Sequence, residues 1–334
     1  MPKTVLLTGG LGYIGSHAAV VLAEAGYDVV LLDNLSNSDI SVLDRLAKVI
    51  GRRLPFVEGD VCHEKIVEDT LISFGIDSVI HFAGLKSVGE SVAEPLKYFI
   101  NNVSGTLSLL NVIRRTPVKS FVFSSSATVY GVPKSLPLNE EHPREATNPY
   151  GRSKLIVEHI LEDIAEVDPS LHIACLRYFN PVGAHPSGYI GESPKGKPSN
   201  LMPFIAQVAE GYHEFVSVFG DDYDTRDGSG IRDYIHVMDL VEGHVSALDY
   251  LNTHSGFHAF NLGSGRGFSV FEMISAYESV CGKNIPYKIV NRRSGDVASC
   301  YANADRARDL LKWSTHRSLQ DMCLSVFRYQ KKLK

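Results

Sequence analysis

Short apolar runs alternate along the chain with stretches whose apolar residues recur every three or four positions. The runs at residues 4 to 8, 28 to 33, 55 to 58, 78 to 82, 121 to 125 and 172 to 179 are too short for helices. They are also too continuously apolar for half-exposed strands, which predicts strands buried on both faces. Between them the helical spacing predicts helices over about 13–25, 40–50, 63–74, 95–115 and 150–167. This alternation predicts an α/β fold, a doubly wound parallel sheet of the Rossmann type covered on both faces. Ligands in such folds lie beyond the C-terminal ends of the strands.

After residue 180 the pattern gives way to Gly/Pro-rich connections, notably Pro181 to Asn200, with shorter elements between them. A nucleotide-binding domain over 1–180 and a smaller substrate-binding lobe over 181–334 are therefore expected. Arg232 to Val237 reads as a short strand entering a helix from Met238 to Leu251, so the chain is expected to return to the sheet near 232–251.

The first strand ends in Gly9-Gly10-Leu11-Gly12-Tyr13-Ile14-Gly15, a turn that opens a helix. Such a turn brings backbone N–H groups and a helix N-terminus to a pyrophosphate. The second strand ends at Asp33, roughly 20 residues on, where a carboxylate accepts hydrogen bonds from a ribose 2'-hydroxyl. Asp33 repels a 2'-phosphate, and Asn34-Leu35-Ser36-Asn37-Ser38 holds no Arg or Lys to receive one, so the expected cofactor is NAD.

Charge and cysteine content narrow the classes. With 33 basic and 38 acidic residues the net charge is −5, which supplies no basic field for nucleic acid or an anionic membrane. Lys331-Lys332-Leu333-Lys334 is expected to be a solvated tail. No run approaches a membrane span and no signal pattern opens the chain, so a cytoplasmic protein is expected. The cysteines at 62, 175, 281, 300 and 323 are widely spaced and expected to be reduced. No metal is expected: His254 and His258 flank Ser255-Gly256, a loop pair, and Asp221-Asp222-Tyr223-Asp224 lacks the glutamate that closes a calcium loop.

Tyr150 and Lys154 fall at i and i+4 on one helix face, after the cap signal Asn148-Pro149. A lysine ammonium, a cationic nicotinamide and a helix N-terminus all stabilise phenolate, so Tyr150 is expected to have a lowered pKa and to act as a general base. The hydroxyl cluster Ser124-Ser125-Ser126-Ala127-Thr128 directly follows the fifth strand.

Thr8 to Gly15, Ser124 to Gly131 and Tyr150 to Lys154 resemble the extended short-chain dehydrogenase/reductase family. Within it, the blocks 81–86, 101–103, 177–186 and 232–237 resemble the UDP-galactose 4-epimerases, and the resemblance runs from about residue 3 to Trp313. It implies Tyr150 as base, Lys154 as its electrostatic partner and cofactor ligand, and Ser126 as a hydroxyl between substrate and base. It implies NAD contacts from Gly9, Gly12, Tyr13, Ile14, Gly15, Asp33, Asn34, Leu35, Ser36, Asn37, Ser38, Asp60, Val61, Phe82, Ala83, Gly84, Lys86, Asn101, Ser124 and Phe179. UDP-sugar contacts are implied for Lys86, Ser126, Tyr150, Tyr178, Asn180, Asn200, Leu201, Phe219, Arg232, Arg293, Asp296 and Cys300.

The implied reaction inverts C4 of a UDP-hexose through a 4-keto intermediate, with the hydride lent to NAD and returned to the other face. The resemblance implies that Cys300 borders the C2 side of the sugar pocket, where members of the resembling family differ between tyrosine and a small residue. Turnover of UDP-N-acetylhexosamines is therefore expected as well. The resemblance also implies a homodimer through helices at about 95–116 and 150–167. Two other readings stay open: a 4,6-dehydratase, whose Asp-Glu pair is replaced here by Ala127 and Thr128, and a non-enzymatic NAD-sensing regulator, which has no need of a Tyr/Lys pair.

Overall fold

The computed structural model describes residues 3–333 apart from 197, 199 and 294. The basic tail's Lys334 and two positions of the Pro181 to Asn200 connection thus lie outside the described residues. Six predicted strands form within about two residues of their expected limits: β1 (Thr4–Thr8), β2 (Asp28–Asp33), β3 (Phe56–Glu58), β4 (Ser78–His81), β5 (Ser120–Ser126) and β6 (His172–Tyr178). With the strand Phe257–Leu262 they form one seven-stranded sheet in the spatial order Phe257–Leu262, β6, β5, β4, β1, β2, β3. Every neighbouring pair is parallel. The strand order reverses between β1 and β4, where such a sheet opens a ligand crevice.

Side-chain alternation divides the core into two layers. Val5 and Leu7 of β1 join Val29 and Leu31 on one face, while Leu6 joins Val30 and Leu32 on the other. Helix α1 (Tyr13–Glu24) packs into the first layer, followed by α2 (Ser41–Ile50), and α3 (Glu64–Ser73) contributes Val67 and Leu71 to the second.

The helix expected over 95–115 is divided. A helical turn at Pro95–Tyr98, preceded by an unforeseen short helix Val88–Ala93, runs into a π-helical stretch Phe99–Ser104 and then into Gly105–Ile113. The wider π turn is a device for re-aiming side chains, and the residue buried within it is Asn102.

The expected return near 232–251 is made by the helix Val237–Leu251, while the strand before it joins a different sheet. The strand Ile231–His236 belongs to a second, small sheet, paired with Asn180–Val182, Gly267–Ser269 and Ser299–Cys300. Its Asp233 is fully buried and accepts N–H bonds from Ser264, Gly265 and Ala302, which fasten this strand to the second lobe. The helix that follows, Val237–Leu251, packs back against α1, and it is Phe257–Leu262 that pairs with β6. The basic tail is corrected. It ends the helix Leu319–Leu333, and Lys332 donates to the Ser187 carbonyl at 2.9 Å while its ammonium lies over the Tyr189 ring. Among the described residues, no helix is long and apolar enough to cross a membrane.

Candidate functional site at the strand ends

The turn after β1 is built for close backbone approach. Gly9 has φ +67°, and a Cβ there would stand 2.8 Å from the Ala83 nitrogen beyond β4. At Gly15 a Cβ would stand 2.3 Å from the Gly9 carbonyl oxygen. Gly12 caps α1 without a side-chain hydrogen bond, and the first turn, which starts with Tyr13, Ile14 and Gly15, holds no acid. The free N–H groups and the uncompensated dipole at this helix start suit a dinucleotide pyrophosphate.

Asp33 organises the neighbouring rim. One carboxylate oxygen accepts the Leu11 N–H at 3.0 Å, and the other accepts the Leu35 N–H at 3.0 Å and the Ser38 hydroxyl at 2.7 Å. Leu35 is thereby held at φ +59°, a conformation uncommon outside glycine. Asn34 accepts the Ser36 N–H and donates to Asp60 at 2.7 Å. Asn37 completes this loop, and Val61 lies buried beside Asp60. The structure adds a cation that the local sequence did not show: Lys195, from the second lobe, donates to the carbonyls of Leu35 and Ser36.

The tyrosine–lysine pair sits at the mouth of β5. Asn148 caps the helix Pro149–Val167 by accepting the Gly151 N–H at 2.8 Å, so Tyr150 opens the helix as expected. Lys154 is buried, and its ammonium donates to the Ser124 carbonyl at 2.8 Å. A Cβ on Gly84 would lie 3.6 Å from that ammonium, which places the Phe82, Ala83, Gly84 segment against it. The Ser126 hydroxyl lies near the Tyr150 phenol, and the Tyr98 ring meets the Tyr150 ring edge-on at 6.4 Å. Tyr178 is the register partner of Ser126, with its hydroxyl bonded to His244.

Electrostatics correct one expectation. Burial pushes the Tyr150 phenol above its ordinary value, and the nearby Ser126 hydroxyl only partly draws it back. The same burial pulls the Lys154 ammonium down to about 8. The protein's own groups therefore favour the protonated phenol, and the expected lowering counts on a cofactor charge.

The expected substrate contacts form two groups. In the first, Glu192 receives Lys86 at 2.7 Å and Asn200 at 2.8 Å on the same oxygen, and the Lys86 ammonium lies 5.8 Å from the Tyr13 ring centre. Leu201 opens the helix that Asn200 precedes, and Asn180 lies exposed at the start of its strand. In the second, Arg232 and Arg293 converge on Asp296 at 3.7 and 3.2 Å, and the Arg293 guanidinium lies over the Phe219 ring at 4.7 Å. Cys300 is the register partner of Arg232, and burial pushes its thiol up to about 11. It packs against a cluster containing Ala127, Phe179 and Ala302, which links this group to the end of β5. Asn101 lies on the π-helical stretch beside Asn102, whose side chain bonds the Leu85 backbone and Ser153.

The sequence assigns no role to Glu192 or Lys195 and marks Asn102 only as part of the block 101–103, because single polar residues in loops and helices carry no periodic signal. A separate cleft of about 400 Å³, lined by residues including Glu140, Arg144, Arg177 and Arg306, contains none of the site residues named above.

The family model for GDP-mannose 4,6 dehydratase matches residues 6–326. A Bacillus subtilis (strain 168) protein named UDP-glucose 4-epimerase is 52% identical over 326 residues, spanning 98% of this chain and 96% of its own. The chain belongs to the UDP-glucose 4-epimerase family. Membership agrees with Ala127 and Thr128 standing where the dehydratase acid pair is expected. The solved epimerase of Bifidobacterium longum, in complex with NAD+ and UDP, superposes with a TM-score of 0.96 at 51% identity, covering 99% of this chain and 98% of that one. The Stenotrophomonas maltophila epimerase, with bound NAD and formylated UDP-arabinopyranose, gives 0.97 at 49% identity over the same shares.

Proposed function

We propose that this chain interconverts UDP-glucose and UDP-galactose by inverting C4, with NAD held as a resident cofactor. The observation that carries this reading is Tyr150 and the buried Lys154 on one helix face at the end of β5, with Lys154 fastened to the Ser124 carbonyl beside a glycine turn shaped for a dinucleotide. NAD, when bound, supplies the acceptor for the C4 hydride and gives it back. Gly9, Gly12, Gly15 and the N–H groups of Tyr13 and Ile14 hold its pyrophosphate, and Asp33 takes a ribose hydroxyl.

Tyr150 removes the proton of the sugar 4-hydroxyl, and Ser126 aligns that hydroxyl with the phenol oxygen. The Lys154 ammonium stabilises the phenolate. Arg232 and Arg293, each a planar donor fork, hold the diphosphate, with Asp296 orienting both. The 4-keto sugar turns over while the diphosphate stays held, so hydrogen returns to the opposite face.

Two finer readings accompany this one. A cysteine at 300 leaves room for a 2-acetamido group, so UDP-N-acetylglucosamine and UDP-N-acetylgalactosamine are also substrates. The chain acts as a homodimer through the helices near 95–116 and 150–167, whose surfaces expose Leu96, Ile100, Leu107 and Ile156. Product sugars formed from UDP-glucose and from UDP-N-acetylglucosamine without added NAD test the reading. C4 epimers are expected from both, and a 4-keto-6-deoxy sugar or unchanged substrate contradicts it.

A further inference from the structure

A fully buried acid stands behind the tyrosine–lysine pair and takes no part in the proton path. Glu158 lies one turn beyond Lys154 on the same helix face, with none of its side chain exposed. A carboxylate at that depth persists only when its oxygens are fully hydrogen-bonded. One oxygen accepts the Ser125 hydroxyl and Arg177 Nε at 3.0 Å; the other accepts Arg177 Nη2 at 2.8 Å and Arg144 Nη1 at 3.1 Å.

The two partners are placed with care. Ser125 and Arg177 sit directly opposite each other on β5 and β6. Ser125 separates Ser124, whose carbonyl takes Lys154, from Ser126, whose hydroxyl lies near the Tyr150 phenol. Arg177 immediately precedes Tyr178 and also donates to the Tyr130 hydroxyl at 2.9 Å and the Glu140 carbonyl at 3.0 Å. A buried ion pair gains little stability over apolar packing of the same volume. Stability alone therefore leaves this arrangement unexplained.

We propose that Glu158 is a positioning residue that, through Ser125 and Arg177, fixes the helix Pro149–Val167 against the ends of β5 and β6. It thereby sets Tyr150 against Ser126 and Lys154 against Ser124. The proposal rests on the reading of Tyr150 and Lys154 as the proton-handling pair. Its charge acts as well. The titratable groups around Lys154 are Tyr150 and Glu158 on its own helix, Cys175 on β6 and His81 on β4. Burial holds His81 neutral and Cys175 protonated, whereas the Arg177 bonds overcome burial and keep Glu158 ionised. Glu158 thus opposes the burial that lowers the Lys154 ammonium.

Ser125→Ala, Glu158→Gln and Tyr150→Phe, compared with wild type as purified holoenzymes, test the proposal. Ser125→Ala keeps the ion pair and removes one strut. It is expected to lower kcat about 10-fold, with KM for UDP-galactose and the NAD released on denaturation unchanged, because small misplacements of reacting groups are costly. Glu158→Gln is expected to lower kcat at least as far and to move the alkaline limb of the kcat profile to lower pH. Wild-type kcat in Ser125→Ala, a change in KM alone, or an unmoved alkaline limb in folded Glu158→Gln overturns the proposal. If Glu158→Gln does not fold, Ser125→Ala decides. An inactive wild type or a fully active Tyr150→Phe overturns the functional reading and this proposal with it. An inactive Tyr150→Phe beside an unaffected Ser125→Ala overturns this proposal alone.

Discussion

The Leu11 N–H donates to the Asp33 carboxylate at 3.0 Å, tying the glycine turn after β1 to the end of β2. Asp33 shapes the loop, and the ribose contact proposed for it gives it a second task. Asp33→Ala leaves the Leu11 and Leu35 N–H groups without their acceptor. The expected loss is about 2 kcal/mol of stability, the scale of stranding buried donors. Chemical denaturation with and without NAD measures it, together with the NAD recovered from the purified variant, which is expected to fall. Wild-type stability and NAD content in the variant contradict both tasks.

Removing the phenol oxygen leaves the packing of Tyr150 in place. Tyr150→Phe is expected to keep the fold and the bound NAD while turnover falls by roughly 10² to 10⁴, the contribution of a positioned general base. Steady-state kinetics on protein with a confirmed NAD content checks this, and near-wild-type turnover removes Tyr150 from the mechanism.

The role proposed for Lys154 gives the reaction a pH dependence whose sign follows from burial. Its ammonium, drawn from the ordinary 10.5 to about 8, is charged below pH 8 and neutral above it. The kcat profile is therefore expected to fall as pH rises through about 8. Stability moves the other way. Between about 8 and 10.5 the unfolded chain retains a proton that the folded chain has released, so this residue's penalty on folding shrinks as pH rises. Unfolding of wild type and Lys154→Met across that window checks the sign: the stability difference is expected to shift in favour of wild type toward high pH.

The proposed substrate breadth rests on Cys300. Cys300→Tyr is expected to suppress turnover of UDP-N-acetylglucosamine and to leave UDP-glucose turnover within a few fold, because a pocket rejects an oversized group by clash. Parallel assays of both substrates decide it. Wild-type protein inert toward the acetamido sugar contradicts the role assigned to this residue.

The large sheet was legible because its strands are buried on both faces and read as unbroken apolar runs. The strand Phe257–Leu262 escaped notice because His258 and Asn261 interrupt it, and Asn261 is polar for a tertiary reason: it bonds Tyr130 and the Leu138 carbonyl. The segment 231–236 looked like a sheet strand and is one, but its buried Asp233 binds it to the second lobe, a partnership that sequence spacing does not carry. In the site, the glycine turn, Asp33 and the Tyr150/Lys154 spacing are local patterns. Glu158, Glu192 and Lys195 act on residues far away in sequence, at separations that only the folded chain brings together.

The fate of the hydrogen on C4 tests the mechanism most directly. UDP-galactose carrying deuterium at C4 is incubated with the purified protein in ordinary water without added NAD, and the UDP-glucose formed is analysed for label. Lending the hydride to a resident cofactor and returning it to the opposite face predicts that the deuterium stays on C4 of the product. Loss of the label to solvent during inversion would contradict it.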